Sequence, residues 1–110
     1  MKSQISLIDQ NNFMLIRIVK MQFREEALTD FHQMFDQTKE RIRGQQGCSK
    51  LELLSDIKDP TTIFTYSYWE TEGDLNRYRH SELFGKVWKE TKSYFREKAE
   101  AWSLEQNHKL

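Results

Sequence analysis

The chain has 110 residues, of which 37% are hydrophobic, 31% charged and 13% aromatic, with 17 basic and 17 acidic side chains. This length fits one domain, and a net charge of zero leaves no basic excess to neutralise phosphates, which argues against a nucleic-acid partner. We expect no secretory signal and no membrane segment, because no apolar run approaches the ~20 residues of a membrane span. One cysteine, Cys48, excludes an intrachain disulfide and favours a cytoplasmic location.

The first half of the chain predicts a strand followed by a helix. Residues 1–12 end in a polar cluster and are expected to form an N-terminal arm. Phe13–Phe23 is apolar on both alternating faces, as in a central strand, although Arg17 interrupts one of these faces. Glu25–Arg43 carries an apolar stripe at helical spacing, and Gly44 is positioned to be its left-handed C-cap.

The second half predicts a hairpin, two helices and a last strand. Ser49–Asp56 and Ile63–Glu70 have strand composition, and the turn Asp59-Pro60-Thr61 joins them into a hairpin. The later elements, in chain order, are a short helix capped by Thr71 and ending near His80, a helix capped by Ser81 and ending near Lys98, a strand at Ala99–Gln106, and a tail at 107–110.

The resulting order, β-α-β-β-α-β, is that of a ferredoxin-like α+β fold in a single domain spanning 1–110. In this arrangement both helices cover one face of a four-stranded antiparallel sheet. The second face is also expected to be apolar, and an apolar surface of that size needs a cover. We therefore expect a homodimer, in which two sheets pack together as a dimeric α/β barrel.

Several short segments occur in a recognisable order. They are Gly47-Cys48, Asp59-Pro60, Tyr68-Trp69-Glu70, Asp74-Leu75 followed by Tyr78, and Ser81-Glu82-Leu83-Phe84. Over roughly Met14 to Leu104, this pattern resembles the antibiotic-biosynthesis-monooxygenase family of dimeric α/β barrels. The resemblance implies a cofactor-free homodimer that handles a small aromatic substrate. Activities in the family include oxidation of polycyclic phenols and quinols, haem degradation, and reactions on small signalling molecules, so membership alone does not fix the reaction.

Two positions depart from the family pattern. Many members have a histidine in the short helix where this chain has Tyr78, although His80 follows two residues later. The haem-degrading branch has its iron-ligating histidine where this chain has Trp88, whose indole nitrogen offers iron no lone pair. Haem degradation by that mechanism is not expected, and no His, Cys or carboxylate spacing predicts a metal site.

Trp69 and Arg17 are the first candidate site residues. The resemblance makes Trp69 a substrate contact, and the alternative is packing in the core or the dimer interface. Arg17 is a candidate catalytic residue that binds a phenolate or carboxylate. Because an unpaired buried charge is costly, Arg17 has the alternative of an ion pair with Glu52 or Glu100 of a neighbouring strand. Glu52 is itself a candidate substrate contact.

The remaining candidates lie in the two later helices. Tyr78 and His80 are expected at the rim of a cavity, where a histidine that titrates near neutral pH can take a proton from a phenol. The alternative for His80 is an ordinary solvated surface position. Trp88 lies on the apolar stripe of the second of these helices, either as a substrate contact or as core. Cys48 has no neighbour that would activate it and is expected to be a structural thiol.

These features together predict a cofactor-independent monooxygenase that acts on a quinol or another electron-rich aromatic. The protein would exclude water, deprotonate the phenol and hold the resulting carbanion against dioxygen. Two alternatives remain open. One is a non-catalytic dimer that binds a small ligand, and the other is an isomerase or lyase that acts on a small oxygenated metabolite.

Overall fold

A computed structural model describes residues 14–110, so the expected arm at 1–12 and the expected strand start at Phe13 lie outside the described residues. In chain order the elements are strand β1 (Leu15–Gln22), helix α1 (Leu28–Arg43), strands β2 (Cys48–Asp56) and β3 (Asp59–Trp69), helices α2 (Glu72–Arg79) and α3 (Glu82–Lys92), and strand β4 (Glu100–Glu105). A 3₁₀ turn, Glu25–Ala27, leads into α1. The order confirms the predicted α+β pattern.

The four strands form one antiparallel sheet in the order β2-β3-β1-β4. Arg17 of the central strand β1 lies opposite Ser67 of β3 on one side and opposite Ser103 of β4 on the other. Leu51 of β2 lies opposite Ser67 as well. Side chains alternate between the two faces of a strand, so these four residues share one face. The helices cover this face, as the sequence predicted, and we call it the inner face.

Two hydrophobic clusters hold the helices against the inner face. The first contains Leu15, Ile42, Cys48, Trp69, Leu75 and Tyr78. The second contains Met21, Phe23, Phe31, Met34 and Ile63. Phe23 is fully buried, and its ring stacks on that of Phe31 with the centroids 4.2 Å apart. Aromatic rings thus supply much of the buried volume of this small domain.

The β2–β3 hairpin turns earlier than the sequence predicted. β3 begins at Asp59 rather than at Ile63, and Asp56 lies opposite Asp59, so the turn consists of residues 57 and 58. The backbone N–H of Lys58 donates to the Asp56 carboxylate at 2.8 Å, which closes the turn. Pro60 is tolerated in the strand because the ladder between β1 and β3 ends at Thr62 and requires no donor at residue 60.

Helix α3 ends at Lys92, six residues before the predicted end at Lys98. The backbone of Phe95 leaves the helix and forms an isolated antiparallel bridge with Phe23. The N–H of Arg96 then donates to the carbonyl of Gln22 at 2.9 Å. Phe95 still reaches the core, because its ring packs on Phe23 at 5.3 Å. The spacing of apolar residues therefore predicted correctly that Phe95 belongs to the core, but it wrongly placed Phe95 in a helix.

The predicted left-handed cap at Gly44 is wrong, because Gly44 has φ −80°, which is right-handed. The left-handed residue is Gly47, with φ +84°. Its carbonyl accepts a hydrogen bond from the N–H of Glu70 at 2.8 Å, and the Asp74 side chain occupies the space where a Cβ would lie. Two independent constraints therefore require glycine at position 47.

Both predicted N-caps are confirmed. The Thr71 hydroxyl accepts a hydrogen bond from the N–H of Asp74 at 3.0 Å at the start of α2. The Ser81 hydroxyl accepts one from the N–H of Phe84 at 3.1 Å at the start of α3. The Ser81 cap lies at the junction between the two helices, and the Ser81 hydroxyl also donates to the carbonyl of Tyr78, so the cap helps to hold the end of α2.

Candidate functional site

A cavity of about 330 Å³ lies between the inner face of the sheet and the helices. Ligand sites commonly enclose about 300–1,000 Å³, so this one suits a small molecule. Its walls are mainly apolar and include Val19, Met21, Phe31, Met34, Leu51, Leu75, Phe84, Val87 and Trp88. Its polar lining consists of Arg17, Thr65, Ser67, Tyr78, Arg79 and Thr91, together with the indole of Trp69.

Trp69 forms one end of the cavity wall and is held rigidly. Its side chain is 1% exposed, and its ring stacks on the ring of Tyr78 with centroids 5.3 Å apart and an interplanar angle of 18°. Its indole N–H donates to the Ser67 hydroxyl at 2.9 Å. One ring face and the only polar group of Trp69 are thus already engaged, so its role at the cavity is to supply a fixed aromatic wall.

Tyr78 is buried, but its hydroxyl has no hydrogen-bond partner among residues 14–110. Within the same residues, no fully buried side-chain nitrogen or oxygen lacks a partner, so this hydroxyl is not fully buried, and Tyr78 is one of the residues that line the cavity. Burial raises the pKa of Tyr78 well above its ordinary value, with a smaller contribution from Cys48. At neutral pH the phenol is therefore protonated, and it is a hydrogen-bond donor toward the cavity rather than a base.

Arg17 reaches the cavity from the middle of β1. Its Nη1 donates to the Ser103 hydroxyl at 2.9 Å, and no carboxylate in the described part of the chain forms an ion pair with it. Burial lowers the pKa of Arg17, and the positive charge of Arg79 lowers it further. An arginine nonetheless stays charged at neutral pH, so Arg17 presents a cation that is not neutralised within these residues.

Arg79 also lines the cavity and was not predicted as a site residue. It lies on α2, where Leu75, Tyr78 and Arg79 are spaced by three and four residues and so share one helix face. Leu75 and Tyr78 are buried against the core, whereas Arg79 is exposed at the cavity mouth. This spacing is the signal in the sequence from which Arg79 can be found.

Two predicted site residues lie away from the cavity lining. His80 is exposed, and its Nδ1 lies 2.7 Å from the carbonyl oxygen of Asn76. Glu52 lies on the opposite sheet face, 3.6 Å from Lys50 Nζ. The register explains this, because Leu51 rather than Glu52 lies opposite Ser67. The alternative ion pair of Arg17 with Glu52 is therefore not formed.

Trp88 and Cys48 complete the set of predicted positions. Trp88 is half-buried in the cavity wall, and its ring stacks on that of Phe84 at 5.9 Å and 17°. Cys48 is buried, and its Sγ donates to the carbonyl of Lys50 at 3.6 Å. Burial raises the pKa of the Cys48 thiol, so it is neutral and unreactive at neutral pH.

Residues 14–110 contain neither a cluster of metal-ligand side chains nor a helix that could span a membrane. No group of three or more His, Cys, Asp or Glu side chains there is placed to hold a metal ion. No helix in the same residues has the length and apolar composition of a transmembrane segment. The cytoplasmic location and the cofactor-free chemistry expected from the sequence stay predictions.

The fold and the cavity define a ferredoxin-like α+β domain with an enclosed space for a small molecule. Similar solved structures include a conserved protein from Methanosarcina mazei Go1, with TM-score 0.82 and 16% identity over 88% of this chain and 96% of that one. A proposed antibiotic biosynthesis monooxygenase from Nitrosomonas europaea has TM-score 0.81 and 15% identity, covering 86% and 91%. Another, from Bordetella bronchiseptica, has TM-score 0.75 and 20% identity, covering 84% and 96%. These identities establish a shared fold.

Residues 14–90 match the family described as antibiotic biosynthesis monooxygenase. The chain belongs to this family, which the order of its short motifs had indicated. No curated protein matches the chain. The match spans β1 through most of α3, and therefore includes Arg17, Trp69, Tyr78, Arg79 and Trp88.

Proposed function

We propose that the protein is a cofactor-independent monooxygenase that acts on a quinol or another electron-rich aromatic. The observation that carries this proposal is the cavity of about 330 Å³, which is apolar along its walls and is lined by Arg17, a cation that no carboxylate of residues 14–110 neutralises. Aromatic walls suit a planar substrate, and the arginine favours the ionised form of a phenol. The family to which the chain belongs supports the same reaction class.

The proposed reaction needs an electron-rich carbon and a site without bulk water. The phenol releases its proton to solvent at the mouth of the cavity, which leaves negative charge on the ring, and Arg17 stabilises that charge as it develops. The ring carbon transfers electrons to dioxygen and forms a C–O bond. The peroxide anion then takes a proton back from solvent to give a hydroperoxide. The resulting hydroperoxide loses water, so that one oxygen atom stays in the product as a ketone and the other leaves in water. The Tyr78 hydroxyl donates a hydrogen bond to the reacting oxygen.

Oxygen uptake tests this proposal directly. The purified protein, stripped of metal and free of flavin, is mixed with a panel of quinols and anthrones. We expect a saturable rate above that in free solution, and a loss of about tenfold or more in Arg17→Gln, because a hydrogen bond to a charged group contributes about 1.5–3 kcal/mol. Arg41→Gln, an exposed position on α1 outside the cavity lining, is the matched control. No turnover above the solution rate across the panel would contradict the proposal.

A non-catalytic ligand-binding dimer is the second candidate, and one observation favours it. Among residues 14–110, no histidine or carboxylate lines the cavity, so no conventional general base faces a bound phenol. His80, the C-cap residue of α2, lies outside the cavity lining. Its proposed role in proton transfer therefore requires a substrate whose hydroxyl reaches that end of α2. Stoichiometric binding without oxygen uptake would favour the binding domain, and substrate loss without oxygen uptake would favour the isomerase or lyase.

We also propose that the functional form is a homodimer that buries the sheet face opposite the helices, here called the outer face. Its large apolar side chains include Ile16, Ile18, Phe64, Leu54, Trp102 and Leu104. Trp102, Leu104 and Leu54 are 43%, 44% and 44% exposed. A contiguous apolar face of this kind is typical of an interface, and an equivalent face on a second copy is its natural cover.

A further inference from the structure

The polar end of the cavity combines two arginines from separate elements. Arg17 projects from the centre of β1, and Arg79 projects from the last turn of α2. Both line the cavity, and neither forms an ion pair within residues 14–110. Of the other arginines, Arg24, Arg77 and Arg96 each lie within 3.3 Å of a carboxylate. Arg41 and Arg43 also form no ion pair among residues 14–110, but they lie outside the cavity lining.

Two guanidinium groups of like charge at one cavity disfavour each other. The charge of Arg79 already depresses the pKa of Arg17, which indicates that the two charges interact. Arg17 is half-buried among apolar walls whereas Arg79 is exposed, so water screens the interaction from one side only. An anion between the two groups removes this repulsion and gains charge-assisted hydrogen bonds from both, and a carboxylate matches the planar guanidinium fork.

The walls and volume of the cavity restrict the shape and size of the ligand that carries the anionic group. Trp69 stacked on Tyr78, and Trp88 stacked on Phe84, give flat aromatic walls. The volume of about 330 Å³ lies at the small end of the usual range for ligand sites. A compact fused-ring acid fits these walls better than a flexible or strongly polar anion does.

We propose that Arg17 and Arg79 together bind the carboxylate of an aromatic acid, so that the substrate class is a hydroxylated arene carboxylate rather than a neutral quinol. This inference rests on the proposed function and specifies its substrate. The carboxylate lies at the arginine end, and the ring lies against the tryptophan walls. The Tyr78 hydroxyl is then left to donate to the ring oxygen.

Calorimetric titration with two probes of the same shape tests the inference without any reaction. The probes are 2-naphthoate, which carries the charge, and 2-naphthamide, which does not. We expect 2-naphthoate to bind at least about tenfold more tightly than the amide, since charged hydrogen bonds contribute about 1.5–3 kcal/mol each. Arg79→Gln, at an exposed position that tolerates change, should reduce this preference strongly and leave the amide affinity unaltered.

Controls separate the possible outcomes. Arg17→Gln should act as Arg79→Gln does, whereas Arg41→Gln, which removes the same charge from the outer surface of α1, should keep the preference. Equal affinities for the two probes, or no binding of 2-naphthoate, would overturn the inference. Turnover of a neutral quinol with no naphthoate preference would overturn the inference alone and leave the oxygenase intact. A naphthoate preference without oxygen uptake from hydroxylated naphthoates would instead count against the oxygenase.

Discussion

Tyr78 contributes its ring to the packing of the core and its hydroxyl to the proposed reaction. Its ring completes the core beside Trp69, and it also makes an edge contact with Phe84 at 5.2 Å. Its hydroxyl, by contrast, has no partner in residues 14–110, and Tyr78 lines the cavity. The ring and the hydroxyl can therefore be separated by mutation.

Replacing Tyr78 with Phe keeps the stacked ring and removes only the hydroxyl. If the hydroxyl donates to the reacting oxygen, oxygen uptake with a quinol substrate should fall by about 10²-fold in kcat, the typical loss of one such donor. Unfolding in urea should be nearly unchanged, because no hydrogen bond to a protein group is lost. An unchanged kcat would remove Tyr78 from the proposed reaction.

Gly47 lies outside the cavity lining, and its replacement should destabilise the fold. Gly47→Ala combines a φ of +84° with a Cβ that collides with the Asp74 side chain, so we expect a loss of more than about 1 kcal/mol in unfolding free energy. Gly85→Ala is the matched control. Its Cβ meets nothing within 4 Å in an exposed helix, and a gain of about 0.5–1 kcal/mol is expected. Equal effects of the two substitutions in urea denaturation would contradict this account.

Residue-level prediction from the sequence succeeded where a position is defined by its neighbours along the chain. Alternation along β1 put Arg17 on the same strand face as Val19 and Met21, and helical spacing put Trp88 on the apolar stripe of its helix, as the structure has them. Prediction failed where the register between strands decides which sheet face a residue occupies. Leu51 lies on the inner face, so Glu52, one position later, lies on the outer face and away from the cavity. The sequence does not specify that register directly.

At the scale of elements, the junction between α2 and α3 controls the geometry of the cavity. The Ser81 hydroxyl caps α3, and Ser81 follows directly after α2 and its C-cap His80. Asp74 near the start of α2 accepts from Arg77 at 2.8 Å and packs against Gly47. Both ends of α2 are therefore held in place, and this positions the backbone of Tyr78 and Arg79 in its last turn.

Removing the cap of α3 should weaken the fold without abolishing it. Ser81→Ala deletes the acceptor of the Phe84 N–H, and a loss of about 1 kcal/mol in unfolding free energy is expected. Ser81→Asp restores an acceptor and adds charge at the helix N-terminus, so it should recover most of the loss. Urea denaturation measures all three proteins, and a stability of Ser81→Ala equal to that of the native chain would show that the cap contributes nothing.

The pH dependence of stability should report on Asp74. The hydrogen bond from Arg77, with further ones from Thr71, holds the pKa of Asp74 below its ordinary value. A carboxyl with a lowered folded pKa stabilises the fold above its unfolded pKa, about 3.9, and loses this contribution as pH falls through the folded pKa. The stability difference between the native chain and Asp74→Asn should be constant near neutrality and shrink below about pH 4. A difference that stays constant down to about pH 2.5, about 1.4 units below the unfolded pKa, would contradict this.

The elements themselves were predictable because each carries its own local signal. The caps at Thr71 and Ser81 and the periodicity of α1 act over a few residues. The end of α3 was missed because the bridge between Phe95 and Phe23 joins distant parts of the chain, and tertiary packing overrides local helical spacing there.

At the scale of the whole molecule, the two faces of the sheet differ in how far the single chain covers them. Along β1 and β3 the helices and the cavity cover the inner face, whereas every residue of the edge strand β4 is exposed in the single chain, on both faces. The outer face also carries Lys50, whose Nζ lies 4.9 Å from the centre of the Tyr68 ring. A dimer that covers this face would bury both the apolar patch and this cation–π contact.

Trp102→Glu tests the proposed dimer. A carboxylate on the apolar part of the outer face, here on the edge strand β4, should be costly to bury, so sedimentation at micromolar concentration should change from dimer to monomer. Thr29→Glu, which places the same carboxylate on the exposed side of α1, should leave the dimer intact. A native chain that sediments as a monomer under these conditions would refute the homodimer itself.

The different environments of the three tryptophans also make the protein its own optical reporter. Trp69 is buried and locked against Tyr78, Trp88 is half-buried in the cavity wall, and Trp102 is 43% exposed on the outer face. A rigid, stacked indole gives near-ultraviolet circular dichroism, and this signal disappears when side-chain packing is lost even if helices persist. Emission from Trp102 should shift to shorter wavelength when the outer face becomes dry, and Trp88 should respond to occupancy of the cavity. Folding, association and ligand entry can thus be followed in one cuvette, without a label, through single Trp→Phe replacements.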